Sequence, residues 1–138
     1  MMNERAGQLG LSCSHFTSPH GFVDAGNHSC AVDLATLARV DLHLRRIRRI
    51  VRRQEAILKF PIKGGRLFLY NNNPLMRSGY PGVTGLKTGY TDLAGHSIVA
   101  TAQRGKIELG VELLHAWDIG EQSRKLLDRG FRALGAKP

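Results

Sequence analysis

Residues 107–113, Ile107-Glu108-Leu109-Gly110-Val111-Glu112-Leu113, carry an aliphatic side chain at every odd position and a polar residue or glycine at every even one. Successive side chains on a strand point to opposite faces, so this run reads as a strand with one buried face. Two more strand-like runs precede it, 85–91 and 96–102. The turns Thr91-Asp92-Leu93-Ala94-Gly95 and Gln103-Arg104-Gly105-Lys106 separate the three. Short turns make such strands antiparallel neighbours. Beyond them, Asp118 and Glu121 have capping-box spacing, with Asp in place of the usual Ser or Thr. Ile119, Leu126, Leu127, Phe131 and Leu134 then line one face of a helix that Gly135 ends. The fold class is therefore α+β, an antiparallel sheet with the terminal helix packed on it.

The first half is less regular. Met2 to Leu9 reads as the tail of a helix stopped by Gly10, and residues 11–28 as a turn-rich loop. Ser29 is the expected N-cap of a helix over 31–43, and a second helical piece runs to about Arg53. Glu55–Phe60 and Arg66–Tyr70 read as short strands around a Lys63-Gly64-Gly65 turn, and Asn71–Thr84 as loop. The length suits one compact domain, and no repeat interrupts it. No apolar run approaches the roughly 18 residues of a membrane span, and no apolar segment of a signal peptide follows Met1. Cys13 and Cys30 lack framework spacing, which favours two free, partly buried thiols over a bridge formed in an oxidising compartment. His15, His20 and His28 share their loop without metal-ligand spacing, so they read as packing residues. Neither a metal nor a cofactor is expected.

The net charge of +9 is concentrated between Arg39 and Arg53, where Leu42, Ile47, Ile50 and Val51 are interleaved at near-helical spacing. A solvated helix face is the first reading, and a surface for an anionic cell wall or membrane the second. Nucleic-acid binding comes last, because neither a recognition motif nor an aromatic platform accompanies the charge.

Lys87-Thr88-Gly89 sits on the first of the three strands, after the loop Tyr80-Pro81-Gly82-Val83-Thr84-Gly85. Alone it is compatible with any exposed edge strand. Its surroundings change that. Met2-Asn3-Glu4-Arg5-Ala6, Leu9-Gly10-Leu11, His15-Phe16, Ser18-Pro19-His20-Gly21 and Ser29 to Ala35 come first. Asn71-Asn72-Asn73-Pro74-Leu75, Tyr80 to Val83, Gly85 to Asp92, Ala94-Gly95, Val99 to Ala102, Ser123 to Leu127 and Gly130-Phe131 follow in one order. In these residues the chain resembles the D-alanyl-D-alanine carboxypeptidases, the low-molecular-weight penicillin-binding serine peptidases, over nearly its whole length. The resemblance implies part of a β-lactamase/transpeptidase-like fold. That fold pairs a Lys-Thr-Gly strand with Ser-x-x-Lys and Ser-x-Asn motifs. None of the seven serines has Lys three residues on or Asn two residues on. The expectation is a single partial domain without its nucleophile segment.

By resemblance, Lys87 supplies positive charge and assists proton transfer, and the Thr88 hydroxyl binds the substrate carboxylate. Gly89 leaves room for a peptide to lie along the strand, and the Tyr90 backbone N–H is an oxyanion donor. The implied partner is a peptidoglycan stem peptide ending in D-Ala-D-Ala, with β-lactams as partners only if the missing segment is supplied. Many members carry an Arg just before the terminal helix, whereas Trp117-Asp118-Ile119-Gly120 has none. The expected function is a truncated and inactive D-alanyl-D-alanine carboxypeptidase. The alternative is a non-catalytic protein, either a peptidoglycan or β-lactam-binding remnant or a basic nucleic-acid binder. The family works at the cell envelope, while this chain as given, without a leader, would stay in the cytoplasm. The third strand pairs in the family with an N-terminal strand, so an open edge, incomplete cover of Leu109, Val111 and Leu113, and self-association through that edge are expected.

Overall fold

The computed structural model describes residues 1–60, 62 and 64–136. The elements run α1 (Met2–Gln8), α2 (Ala31–His43), α3 (Arg45–Val51), β1 (Glu55–Lys59), β2 (Arg66–Tyr70), α4 (Pro74–Arg77), β3 (Val83–Thr91), β4 (Gly95–Arg104), β5 (Ile107–Ala116) and α5 (Ile119–Ala133). Of the turn expected between β1 and β2, Lys63 lies outside the described residues. β3, β4 and β5 form an antiparallel sheet in that order, and β1 and β2 a separate antiparallel hairpin.

The register of the larger sheet explains its core. Ile98 faces Leu113, Ala100 faces Val111 and Ala102 faces Leu109, so these side chains share one side of the sheet. Ile98, Ala100 and Ala102 are buried there beneath Leu127 and Phe131 of α5. Val111, expected to be incompletely covered, is buried by the same helix, while Leu109 and Leu113 remain half-buried. The helix stripe is narrower than the sequence reading. Leu126 and Leu134 are exposed, and the inward positions are Ile119, Ser123, Leu127 and Phe131, each four residues apart. Asp118 caps the helix as expected, with Oδ1 accepting from the Glu121 N–H at 2.9 Å. The Glu121 carboxylate does not reach back to complete the box; it pairs with Arg124 at 2.7 Å.

Three other expectations are corrected. Ser29 does not cap α2: Cys30 occupies the N-cap, and the Ser29 hydroxyl hydrogen-bonds that of Ser14 at 2.8 Å. Asn71–Thr84 is not all loop, because Asn73 caps the short helix α4 and β3 begins at Val83. Cys13 and Cys30 are not free thiols but a disulfide, with Cα atoms 5.9 Å apart. The reason is a local pairing that spacing rules do not see. His15 and His28 exchange backbone hydrogen bonds of 2.9 and 3.0 Å, and the same register two residues outward sets 13 opposite 30. Asp33, buried beside them, accepts from the Cys13 N–H at 3.0 Å and the Ser14 hydroxyl at 2.7 Å.

α2 lies over the opposite side of the sheet, leaving a groove of ≈ 630 Å³ that Ala38, Leu42, Thr101, Gly110 and Glu112 help to line. Burial in that layer pushes the carboxyls of Glu112 and Asp41 above their ordinary values. Among the described residues β5 pairs only with β4, so its outer edge is open as expected.

Candidate active site

β3 is also an edge strand, and its beginning is pinned from several directions. A side chain at Gly82 (φ 76°) would collide with the Gln103 carbonyl, whose own N–H donates to Gly82 O at 2.8 Å. The Thr84 and Thr101 hydroxyls hydrogen-bond at 2.8 Å in the interior. Asn73, 1% exposed, donates from Nδ2 to Gly85 O at 3.1 Å while its Oδ1 accepts from the Leu75 N–H at 3.0 Å. Asn71 extends the clasp, donating to the carbonyls of Val51 and Arg53 at 3.2 and 3.1 Å. Val51 at the end of α3 in turn leaves no room for a side chain at Gly85.

Past this anchor the strand turns outward. Lys87 and Gly89 are exposed and Thr88 half-buried. The Lys87 ammonium donates to the Thr88 carbonyl. A methyl group built at Gly89 would have no neighbour within 4 Å, so the space beside the strand is open. The Tyr90 hydroxyl donates to Asp92 at 2.9 Å, and its ring lies 4.4 Å from that of His96, its partner across the β3–β4 register. All four sequence-derived site residues therefore fall together, on the open side of one strand.

They line a cavity of ≈ 690 Å³ whose other walls come from distant segments. Gly21 and Phe22 contribute one wall, Asn72 and Pro74 another, and Trp117 to Ile119 a third. The Phe22 loop is shaped by its own polar groups. His20 Nδ1 accepts from the Phe22 N–H at 3.1 Å, and the hydroxyls of Ser18 and Thr17 hold the Asp24 carboxyl below its usual range. Trp117 is brought in because Gly120 lets the start of α5 close on Pro74, where an added methyl would stand 3.1 Å from the proline ring. Trp117 is 95% exposed and Phe22 72%. Lys87 is the only lysine or arginine lining the cavity among the described residues. The missing Arg before α5 thus has no substitute there. Sequence reasoning missed Asn73, Phe22 and Trp117 as site-builders. The Asn73-Pro74 pair, an N-cap followed by proline at the first helical position, was a readable signal for the first.

Comparison with known proteins finds relatives over nearly the whole chain. The family model for D-alanyl-D-alanine carboxypeptidase matches residues 1–116. D-alanyl-D-alanine carboxypeptidase DacF of Bacillus subtilis is 32% identical over 140 residues, covering 99% of this chain and 36% of its own length. The crystal structure of D-alanyl-D-alanine carboxypeptidase from Mycobacterium tuberculosis superposes with a TM-score of 0.85 at 30% identity, covering 95% of this chain and 52% of that one. The Streptomyces K15 DD-transpeptidase superposes at 0.87 with 28% identity, over 95% and 52%. The 138 residues thus span about a third of that curated relative and half of each solved chain. With the family model covering most of its length and both superpositions covering 95% of it, this chain belongs to the D-alanyl-D-alanine carboxypeptidase family.

Proposed function

We propose that these residues form the substrate-holding wall of a serine-type D-alanyl-D-alanine peptidase acting on peptidoglycan stem peptides at the cell envelope. The observation that carries this reading is Lys87-Thr88-Gly89 on the open side of an edge strand, bordering a cavity large enough for a dipeptide terminus. A peptide laid antiparallel on β3 gains backbone hydrogen bonds without displacing another strand. The Thr88 hydroxyl and the Lys87 ammonium then meet its terminal carboxylate, and a charge-assisted hydrogen bond of this kind contributes about 1.5–3 kcal/mol. The Tyr90 N–H is offered to the scissile carbonyl as an oxyanion donor. Covalent chemistry needs a nucleophile, and no Ser-x-x-Lys occurs within these 138 residues. Acylation therefore requires that segment from outside them, and until it is supplied the unit binds substrate without turning it over.

The test has two arms on the 138-residue chain. Amide chemical shifts of Lys87 to Tyr90 should move with an N-acylated D-Ala-D-Ala peptide and not with the L,L isomer, and Thr88→Val should abolish the response. Intact-mass spectrometry after penicillin treatment should show no adduct. Silence at β3, or a stoichiometric acyl adduct on any serine, overturns the proposal. The open edge of β5 supports a second property, self-association. Light scattering on size-exclusion fractions checks it, and a stable monodisperse monomer refutes it.

A further inference from the structure

The Cys13–Cys30 disulfide closes the neck of the loop whose tip walls the Lys87 cavity. Of the residues that the bridge encloses, Gly21 and Phe22 line that cavity. Phe22 is largely exposed, and the nearest aromatic ring, that of His20 at 5.6 Å, belongs to the same loop. Packing therefore does little to fix the wall, and its position is inherited from the loop backbone. Among the described residues, every hydrogen bond made by residues 18–26 also stays within the loop. The Phe22 N–H donates to His20 Nδ1, Thr17 Oγ1 to Asp24 at 2.9 Å, and the Asn27 N–H to Asp24 O at 3.1 Å.

What ties the loop to the rest of the molecule is its neck. Asn3 of α1 clasps Phe16 on one side, donating to its carbonyl at 2.9 Å and accepting from its N–H at 2.7 Å. Across the neck run the His15–His28 backbone pair, the Ser14–Ser29 hydroxyl contact and the disulfide. Asp33 of α2 then joins the neck to the helix lying over the sheet, through the Cys13 N–H and the Ser14 hydroxyl. Only the disulfide in this set is covalent; water can replace the others. Both cysteines are half-buried rather than enclosed, so a small dithiol can reach them. No residue of the loop belongs to the core cluster around Ile98 and Phe131, so the sheet does not depend on the loop for its packing.

We propose that the Cys13–Cys30 bridge is a redox-sensitive positioning device for the substrate cavity. Oxidised, it holds the Phe22 wall beside the Lys87 strand; reduced, it lets the loop swing and opens the cavity on that side. The inference rests on the peptidase reading of that strand. The chemistry is exchange with a dithiol. A reductant thiolate attacks one sulfur to form a mixed disulfide, and its second thiol then displaces the protein sulfur. The reductant leaves as its own disulfide, and Cys13 and Cys30 gain two electrons and two protons as thiols. A wall in place for a tenth of the time raises the apparent Kd about tenfold.

Amide relaxation and peptide titration of the 138-residue chain, oxidised and reduced with dithiothreitol, test the proposal. Reduction should lower the order parameters of residues 20–24 from about 0.85 to below about 0.6 and leave β4 unchanged. It should also raise the Kd of the N-acylated D-Ala-D-Ala peptide, read at Lys87 to Tyr90, about tenfold. Phe22→Ala should weaken binding to the oxidised chain and cancel the effect of reduction, a coupling that a general loss of stability does not produce. An unchanged order parameter, or an equal loss on reduction in the parent and in Phe22→Ala, overturns the proposal. So does circular dichroism showing that the reduced chain unfolds throughout, which would make the bridge a global staple. Peptide binding that survives reduction intact refutes this inference alone, whereas no response in the oxidised chain refutes the peptidase reading and this inference with it.

Discussion

Replacing Asn73 with Ala should be among the most damaging single changes outside the hydrophobic core, and the structure sets its size. The side chain is 1% exposed and uses both ends: Oδ1 caps α4 through the Leu75 N–H, and Nδ2 satisfies the Gly85 carbonyl. Losing an N-cap costs about 1 kcal/mol, and stranding a buried carbonyl about 1–3 kcal/mol. The sum is about 2–4 kcal/mol. At about 2.1 cal/mol/K of unfolding entropy per residue, it lowers Tm by roughly 7–14 °C. Urea unfolding followed by circular dichroism measures the free energy directly. Asn73→Asp separates the two roles. It keeps the capping oxygen but turns a carboxylate toward the Gly85 carbonyl, so near neutral pH it should be worse than Ala. Burial raises that carboxyl's folded pKa, so stability should recover as pH falls through it. Because Gly85 lies two residues before Lys87, both variants should also disturb the amide shifts of Lys87 and Thr88. A cost below about 0.5 kcal/mol for Ala, or an Asp variant indifferent to pH, would refute the clasp as the anchor of β3.

Tyr80 donates to Asp128 at 2.8 Å and accepts from Arg104 at 3.0 Å; burial and the neighbouring carboxylate raise its hydroxyl pKa to about 12 from 10.0. The folded state holds this proton more tightly than the unfolded one, so the contribution is complete below pH 10 and lost between pH 10 and 12. Allowing for solvent screening it amounts to roughly 1 kcal/mol, and Tyr80→Phe should flatten the alkaline limb of a stability–pH curve. Reducing the Cys13–Cys30 bridge, which spans a sequence separation of 17, should cost about 3 kcal/mol by the loop-entropy relation and give a lower urea midpoint with dithiothreitol than without. Nucleic-acid binding by the Arg39–Arg53 region should be weak, independent of sequence and steeply salt-dependent, because charge is its only visible attraction. Fluorescence anisotropy at two salt concentrations checks this, and tight binding to one sequence at high salt contradicts it.

The parts legible in the sequence are those where local pattern and tertiary environment agree. Ile107 to Leu113 alternates because a helix covers one side and the other is more open, and Asp118 caps because its acceptor serves its own turn. Lys87 to Tyr90 could be assigned to one strand for the same reason, all four being neighbours in sequence. What stayed hidden depends on distant partners. The disulfide follows from the His15–His28 pairing, and the cavity takes one wall from the Phe22 loop and another from Trp117, which a proline–glycine contact brings in. Leu126 and Leu134 fit the helical period as well as Leu127 does, but only the latter meets the sheet. In the inward stripe Ser123 occupies a position that pattern alone would give to an aliphatic residue. Its hydroxyl is fully buried and has no hydrogen-bond partner among the described residues.

Among the described residues, the order β3-β4-β5 gives only the middle strand two neighbours. Amide protons of β4 can exchange with solvent only when the sheet itself comes apart, whereas an outer strand can peel away alone. β3 is fastened at one end by Asn73 and Thr84 and at the other by its turn into β4, where Thr91 Oγ1 accepts from the Ala94 N–H at 3.0 Å. Between those fastenings, residues 86–90 can open and close many times within one lifetime of the folded state. A ligand aligned along that stretch would close its free side, so occupancy would register as slowed exchange there long before it altered the melting of the whole molecule.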